Sequence, residues 1–282
     1  MNDKQNQISN LILDMDGVLW HGERPVPGLA EFFYELKRNR VGFILATNNA
    51  TKTQQQYVEK LGRFGVEVSI QQILTSSEAT AGYLRQNHPD WESAFVLGEI
   101  GLHRAMNNQG FTILSEDLEE MEDIVSARAD VVVVGMTRHV CYRHLAIANY
   151  LITHGASFVG TNPDITFPSE IGSMPGAGSI LAFLQTSSGI TPEVIGKPNG
   201  IMFEEAIRRL DGTVNDTAMV GDRMNTDIAG AHSAGLRSIL LLSGIAMREE
   251  LMNSEIQPDW VFETLSEFTG ALPTLLSARD VS

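Results

Sequence analysis

The stretch Leu11 to Trp20, LILDMDGVLW, constrains the fold of this chain more than any other. A continuous apolar run of this length, bounded by a turn signal, suits a sheet covered on both faces, so Ile8, Leu11, Ile12 and Leu13 are predicted to form a short buried strand. Asp14 and Asp16 follow just past its carboxyl end, and Gly17 lets the chain turn away sharply. Residues i and i+2 of extended backbone project to the same side, so both carboxylates are expected to address one small site. Taken alone, a D-x-D-G turn is also a common surface loop or incidental cation site, and its meaning depends on later strand ends.

Those ends recur along the chain. Leu29, Phe32, Phe33 and Leu36 fall at helical spacing and predict a core-facing helix over 28–39. Val41 to Ala46 predicts a second buried strand that stops at Thr47-Asn48-Asn49, with a helix from Thr53. Strand, helix, strand in this rhythm predicts a right-handed βαβ unit and a parallel sheet, whose ligand site lies beyond the carboxyl ends of its strands. Asp14, Asp16 and Thr47 all fall there. Further on, Glu193-Val194-Ile195 leads into Gly196-Lys197-Pro198 and an amphipathic helix over 200–210, so Lys197 is expected to be held in place. The strand 217–220 ends in Gly221-Asp222, with Asp227 five residues beyond, before the helix IAGAHSAG. A last strong strand over 236–242, an edge strand at 258–262 and a closing helix complete the same domain.

Between these segments the rhythm restarts. Strands at 94–97, 130–135 and 157–160 alternate with helices at 100–109 and 142–153, a block of ~90 residues large enough to be a second domain inserted into the first. We place the core domain at 1–86 and 176–282 and the insert at 87–175, with Gly176 and Gly178 as a candidate hinge. The acidic stretch SEDLEEMED reads as a solvated surface. Thr161-Asn162-Pro163-Asp164 ends a strand with polar side chains, which suits either a substrate contact or an Asx turn.

Composition narrows the functional classes. A chain of 282 residues with 43% hydrophobic content is long enough for two domains with sizeable cores. Net charge of −15, with no cluster of Lys and Arg, argues against a nucleic-acid partner, so an anionic substrate must be drawn by a local positive site. No apolar run approaches the roughly 20 residues that span a bilayer, and the N-terminus lacks the apolar core of a signal peptide, so no membrane partner and a cytoplasmic location are expected. The single cysteine, Cys141, cannot form an internal disulfide and lies outside every motif, so we give it no role.

Four strand ends thus carry, in order, LDMDGV, ATNN, GKP and VGDRMNTDI. These stretches resemble the four motifs of the haloacid dehalogenase superfamily of phosphohydrolases, and the resemblance covers essentially the whole chain. The insert, with TNPDITFP and PGAGS, looks like the α/β cap (C2 type) of the subfamily containing the NagD-type and 4-nitrophenyl phosphatases. The fold implied is α/β, a Rossmann-like parallel sheet core with an inserted α/β cap domain. The function implied is Mg²⁺-dependent hydrolysis of a small phosphorylated metabolite through an aspartyl-phosphate. By resemblance Asp14 is the nucleophile and a metal ligand, and Asp16 is the acid and base and offers its main-chain carbonyl to the metal. Asp222 is a metal ligand, Thr47 and Lys197 hold the phosphoryl group, and Asp227 orients Lys197 or completes the outer metal shell. Asn48, Asn49, Asn162 and Asp164 are the candidate substrate-binding residues. A hard cation with oxygen ligands suits this carboxylate set, because an anionic nucleophile meets an anionic phosphate only when charge is shielded. Related capped phosphatases often pair through the cap, which makes a homodimer of that kind one arrangement the resemblance implies. Two other functions fit the same motifs: a phosphotransferase or mutase of phosphosugars, and a non-catalytic ligand-binding protein of the same fold.

Overall fold

The computed structural model describes residues 8–114, 128–169 and 172–276. They divide into two compact units, the first built from 1–47, 55–74 and 197–282, the second from 48–54 and 75–196. The acidic stretch SEDLEEMED lies outside the described residues.

In the first unit the opening apolar run forms strand β1 (Asn10–Leu13), every residue of it buried. Its sheet contains β4 (Gly42–Thr47), β5 (Ile73–Thr75), β13 (Thr217–Gly221), β14 (Arg237–Leu241) and β15 (Trp260–Phe262), in the order β15-β14-β13-β1-β4-β5. β1 lies parallel to both β13 and β4, pairing Leu13 with Val220 on one side and Leu45 on the other. Leu11 and Leu13 join one apolar cluster with Val220, Ile239, Phe32 and Phe268, while Ile12 is buried on the opposite face. Burial on both faces is why the strand reads as a continuous apolar run rather than an alternating one. Each such side chain contributes roughly 1.5–3 kcal/mol by leaving water.

Helix α1 (Leu29–Arg38) buries Leu29, Phe32, Phe33 and Leu36, the stripe its spacing predicts. Phe32 meets Phe268 of the C-terminal helix α10 (Leu265–Leu275) at 5.6 Å. Helix α2 (Gln54–Arg63) and helix α7 (Gly200–Leu210) also match the sequence reading. A two-stranded antiparallel pair, β2 (Trp20–His21) and β3 (Arg24–Pro25), follows the D-x-D-G turn. The helix expected from Ile228 is preceded by a single π-helical turn over Met224–Ile228 and continues as α8 (Ala229–Ser233). Helix α9 (Arg248–Asn253) precedes β15.

The second unit has its own five-stranded parallel sheet, made of β6 (Ser93–Leu97), β7 (Thr112–Ile113), β8 (Val131–Val134), β9 (Ser157–Gly160) and β12 (Glu193–Val194), in the order β12-β9-β8-β6-β7. Helices α3 (Ser76–Asn87), α4 (Ile100–Asn108), α5 (Tyr142–Thr153) and α6 (Ala177–Ser188) belong to it, as does the antiparallel pair β10 (Thr166–Ser169) and β11 (Gly172–Pro175). This unit is wider at both ends than 87–175. α6 packs Leu181 and Leu184 into the cluster of Phe95, Val132, Val134 and Ile147, and β12 adds an edge to the sheet beside β9. Gly176 and Gly178 therefore lie inside the second unit instead of at its border. A Cβ on Gly176 would stand 2.3 Å from the Asp164 carbonyl oxygen and one on Gly178 2.3 Å from that of Pro163, so close backbone approach accounts for both glycines. Among the described residues no helix is long and apolar enough to cross a membrane.

Candidate active site

The register of the first sheet gathers the motif residues. Leu13 is level with Val220 and Leu45, so Asp14, Asp222 and Ala46-Thr47 leave three adjacent strands at one end. The Asp14 amide continues the ladder by donating to the Val220 carbonyl at 2.8 Å. Into this corner comes Lys197, only 2% exposed, from the start of the segment that leads to α7; its peptide bond to Pro198 is cis. Its ammonium donates to Asp14 Oδ1 at 2.5 Å, Asp227 Oδ1 at 2.8 Å and the Ala46 carbonyl at 3.1 Å. Burial alone lowers a lysine's proton affinity, yet the carboxylates of Asp14 and Asp227 outweigh it and hold Lys197 above its ordinary value. The residue is a fixed cation.

Carboxylate oxygens of Asp14, Asp222 and Asp227 lie within 4.8 Å of one another. Asp222 is fully buried, and two glycines make room for it. A Cβ on Gly17, whose φ is +93°, would stand 2.0 Å from Asp222 Oδ2, and one on Gly244 would stand 2.1 Å from the same atom. Asp222 Oδ2 accepts from the Ile245 amide at 2.9 Å, whereas its Oδ1 is buried with no hydrogen-bond partner. Burial, and then the charge of Asp227, pushes the Asp222 carboxyl from 3.8 up to about 6, against the pull of the Ile245 amide, Arg223 and Lys197. Burial also raises Asp14 well above its ordinary value, with Lys197 opposing and Asp227 and Asp222 adding to the rise. Three carboxylates against one ammonium, with one buried oxygen left over, fit a hard divalent cation that takes oxygen ligands. Asp14, Asp222 and Asp227 each offer an oxygen that would hold it. Asp227 accepts from Lys197 through Oδ1 and from the Arg223 amide through Oδ2 at 3.2 Å, so it restrains the lysine while offering an oxygen to the same cluster.

The two aspartates of the opening turn part company. Asp14 is buried in the carboxylate cluster, while the side chain of Asp16 is exposed, outside that cluster, and accepts at Oδ1 from the Trp20 indole N–H at 2.8 Å. Among the described residues the three-carboxylate cluster is thus Asp14, Asp222 and Asp227, and Asp16 stands outside it. Thr47 is buried at the end of β4, in the same unit.

The remaining candidates belong to the second unit, where Asn48, Asn162 and Asp164 bond to one another. Asn162 donates to the Asn48 carbonyl at 2.8 Å, Asn48 donates to Asp164 Oδ2 at 3.3 Å, and the Asp164 amide donates to Asn162 Oδ1 at 3.1 Å, which is an Asx turn. Asn49 Oδ1 accepts from the amide and hydroxyl of Thr51 at 2.9 and 2.7 Å, the mark of a local turn. Ser76, which the motifs did not flag, donates to the same Asn48 carbonyl at 2.6 Å. Trp20, Tyr57 and Lys60 were not flagged either; the signal available for the last two was their spacing, with Phe64, along one face of α2.

Fold and site together define a class, an α/β enzyme with an acidic centre at the carboxyl ends of parallel strands. Comparison with known proteins then narrows it. The family profile "Haloacid dehalogenase-like hydrolase" matches residues 11–112 and a second, "HAD-hydrolase-like", matches 194–268. The chain is 33% identical over 255 residues to an acid sugar phosphatase of Staphylococcus epidermidis, covering 90% of this chain and 94% of that one. It is 35% identical over 257 residues to the 5'-nucleotidase YutF of Bacillus subtilis, covering 91% and 96%. The solved structure of NagD from E. coli K-12 superposes with a TM-score of 0.82 at 32% identity, covering 93% of this chain and 98% of that one. The chain belongs to the haloacid dehalogenase-like hydrolases, among the phosphatases of the NagD kind.

Proposed function

We propose that this protein is a Mg²⁺-dependent phosphatase of small-molecule phosphate monoesters that works through an aspartyl-phosphate on Asp14. The observation that carries the reading is Asp14 itself, a buried carboxylate gripped by Lys197 beside an Asp222 whose Oδ1 has no partner. Asp14, Asp222 and the Asp16 carbonyl would hold Mg²⁺, which would supply charge shielding and Lewis-acid polarisation of the phosphate. A carboxylate oxygen of Asp14 attacks phosphorus, the ester P–O bond breaks, and the leaving oxygen takes its proton from Asp16. Asp16, now a carboxylate, accepts a proton from water as that water attacks the phosphoryl group, which frees inorganic phosphate and restores Asp14. Lys197 balances charge on the nucleophile and the phosphate, Thr47 donates a hydrogen bond to a phosphoryl oxygen, and Asp227 keeps Lys197 in line.

The names of the relatives put sugar phosphates and nucleoside 5'-monophosphates at the head of a substrate panel. Asn48, Asn49, Asn162 and Asp164 are proposed to act on selectivity. The test is release of inorganic phosphate from that panel and from p-nitrophenyl phosphate, with Mg²⁺ and with excess EDTA, together with peptide mapping of acid-quenched enzyme for a phosphate on Asp14. Activity confined to Mg²⁺ and an adduct on Asp14 are expected. Full activity in EDTA, or phosphoryl groups passed to another hydroxyl without phosphate release, would overturn the reading.

A further inference from the structure

We infer that Trp20 is a positioning residue for Asp16, holding one carboxylate oxygen so that the other faces the reacting group. The inference rests on the reading of Asp16 as acid and base. Asp16 is exposed on a short turn, where an untethered side chain samples several rotamers. The Trp20 indole N–H fixes Oδ1 at 2.8 Å, and the backbone forms an isolated β-bridge between Asp16 and Trp20, with the neighbouring Gly17 amide donating to the Trp20 carbonyl at 2.8 Å. A donor only, the indole can serve just one side of this contact, and it selects an acceptor oxygen.

The indole is itself clamped. Trp20 is fully buried in the first unit's core, and α2 with the residue after it presents Tyr57, Lys60 and Phe64 to it along one face. The Tyr57 ring stacks at 6.2 Å with an interplanar angle of 17°, and Phe64 lies at 6.1 Å. The Lys60 ammonium stands 4.3 Å from the indole centroid, donates to the Gly22 carbonyl at 2.6 Å and pairs with Glu23 at 3.4 Å. Lys60 thereby ties the turn between β2 and β3 to the ring face, and a cation over the ring draws electron density from the indole and strengthens its N–H as a donor. A lysine 4% exposed and held at once by a ring face, a turn carbonyl and Glu23 keeps the indole in one place. Rotamer control of a proton-transfer group gives it a purpose, because misplacement of about an ångström costs a large part of the assistance.

The experiment replaces Trp20 by Phe and, as a shape-conserving control, by β-(3-benzothienyl)alanine, in which sulfur takes the place of N–H. Both are compared with Asp16→Asn and combined with it. Loss of the N–H is expected to slow alkyl phosphate hydrolysis on the order of 10- to 100-fold while the nitrophenol burst from p-nitrophenyl phosphate changes by less than about threefold. In the Asp16→Asn background the same replacement should add nothing further. The melting temperature of the sulfur analogue should stay close to that of the parent. Equal slowing of the phosphoenzyme-forming step with aryl and alkyl esters, or full additivity with Asp16→Asn, overturns the positioning role. Asp16→Asn measured alone separates the two ideas: if that variant does not distinguish aryl from alkyl leaving groups, the acid-base reading fails and the positioning role with it.

Discussion

Lys197 donates to Asp14 at 2.5 Å and is walled in on its other side by Asp227 at 2.8 Å, so one buried ammonium serves two carboxylates. Removing one partner from a buried pair leaves an uncompensated charge and costs roughly 3–5 kcal/mol. Lys197→Met is therefore expected to lower the melting temperature by on the order of 10 °C for a chain of this size. Turnover should fall by at least about 10²-fold, the usual scale for losing a preorganised charge at the reacting group. Since the three carboxylates remain, added Mg²⁺ should still raise the melting temperature of the variant by no less than it does the parent's. Differential scanning fluorimetry and initial rates measure both effects, and a variant with parental stability and turnover would show that the lysine is a bystander.

Metal and protons compete for the same corner. Burial and the charge of Asp227 raise the Asp222 carboxyl from 3.8 to about 6, so the folded state binds a proton more tightly than the unfolded chain does. Its contribution is therefore undiminished at low pH and is lost as pH rises through the interval from 3.8 to about 6. At about 1.4 kcal/mol for each tenfold change in proton affinity, the loss above that interval is roughly 3 kcal/mol. A divalent cation reverses it by replacing the proton. Mg²⁺ is accordingly expected to raise the melting temperature more above about pH 7 than near pH 5, where protons hold the site. A stabilisation independent of pH would place the cation away from Asp222.

Asn162 and Asp164 separate stability from selectivity. Asn162 is 4% exposed and donates to the Asn48 carbonyl, so Asn162→Ala should destabilise the protein by about 1 kcal/mol, toward the low end because Ser76 still donates to that carbonyl. Asp164→Ala leaves the Asn162 bond intact and is expected to change the ranking of sugar phosphates against nucleoside monophosphates with little change in melting temperature. Uniform losses across the panel would assign both residues to structure alone.

Much of this was legible in the sequence, for physical reasons that also mark its limits. β1, β4 and β13 are apolar on both faces and stop at polar residues, so a reader of the chain can place Asp14, Thr47 and Asp222 at strand ends. Asp227 was visible as a residue near Asp222, but its π-turn was not, since local periodicity does not register one extra residue in a turn. α3 gives little sequence signal because its buried face is Ser76, Ser77, Ala79, Thr80, Ala81 and a single leucine, Leu84; small polar groups satisfied by backbone carbonyls, as Ser77 is by Ala50, give no apolar stripe. The extent of the second unit depended on α6 docking its leucines against Phe95, a contact between segments some ninety residues apart that only the folded chain expresses. The parting of Asp14 from Asp16 was hidden for a similar reason. Alternation along a strand aims both residues one way, and only the indole of Trp20 shows where Asp16 is kept.

That parting makes the two aspartates separable by substitution. Asp14→Asn removes the attacking oxygen and one oxygen of the carboxylate cluster together, so no phosphoenzyme can form and activity should fall to background for every substrate. Asp16→Asn leaves the buried cluster and the lysine untouched, because its side chain stands outside them. It should therefore fold with near-parental stability and still bind Mg²⁺. What it loses is proton transfer, worth roughly 10²–10⁴-fold where the leaving group needs it. Nitrophenolate departs without much help, whereas an alkyl alkoxide requires a proton, so the first step should survive with p-nitrophenyl phosphate and fail with alkyl phosphates. The second step should be slow for all substrates, since no group activates water. Rapid-mixing absorbance should then record a burst of nitrophenol of up to one equivalent followed by a slow steady state, with phosphate retained on Asp14. Equal slowing of aryl and alkyl esters without a burst would remove Asp16 from proton transfer and require another group to carry it.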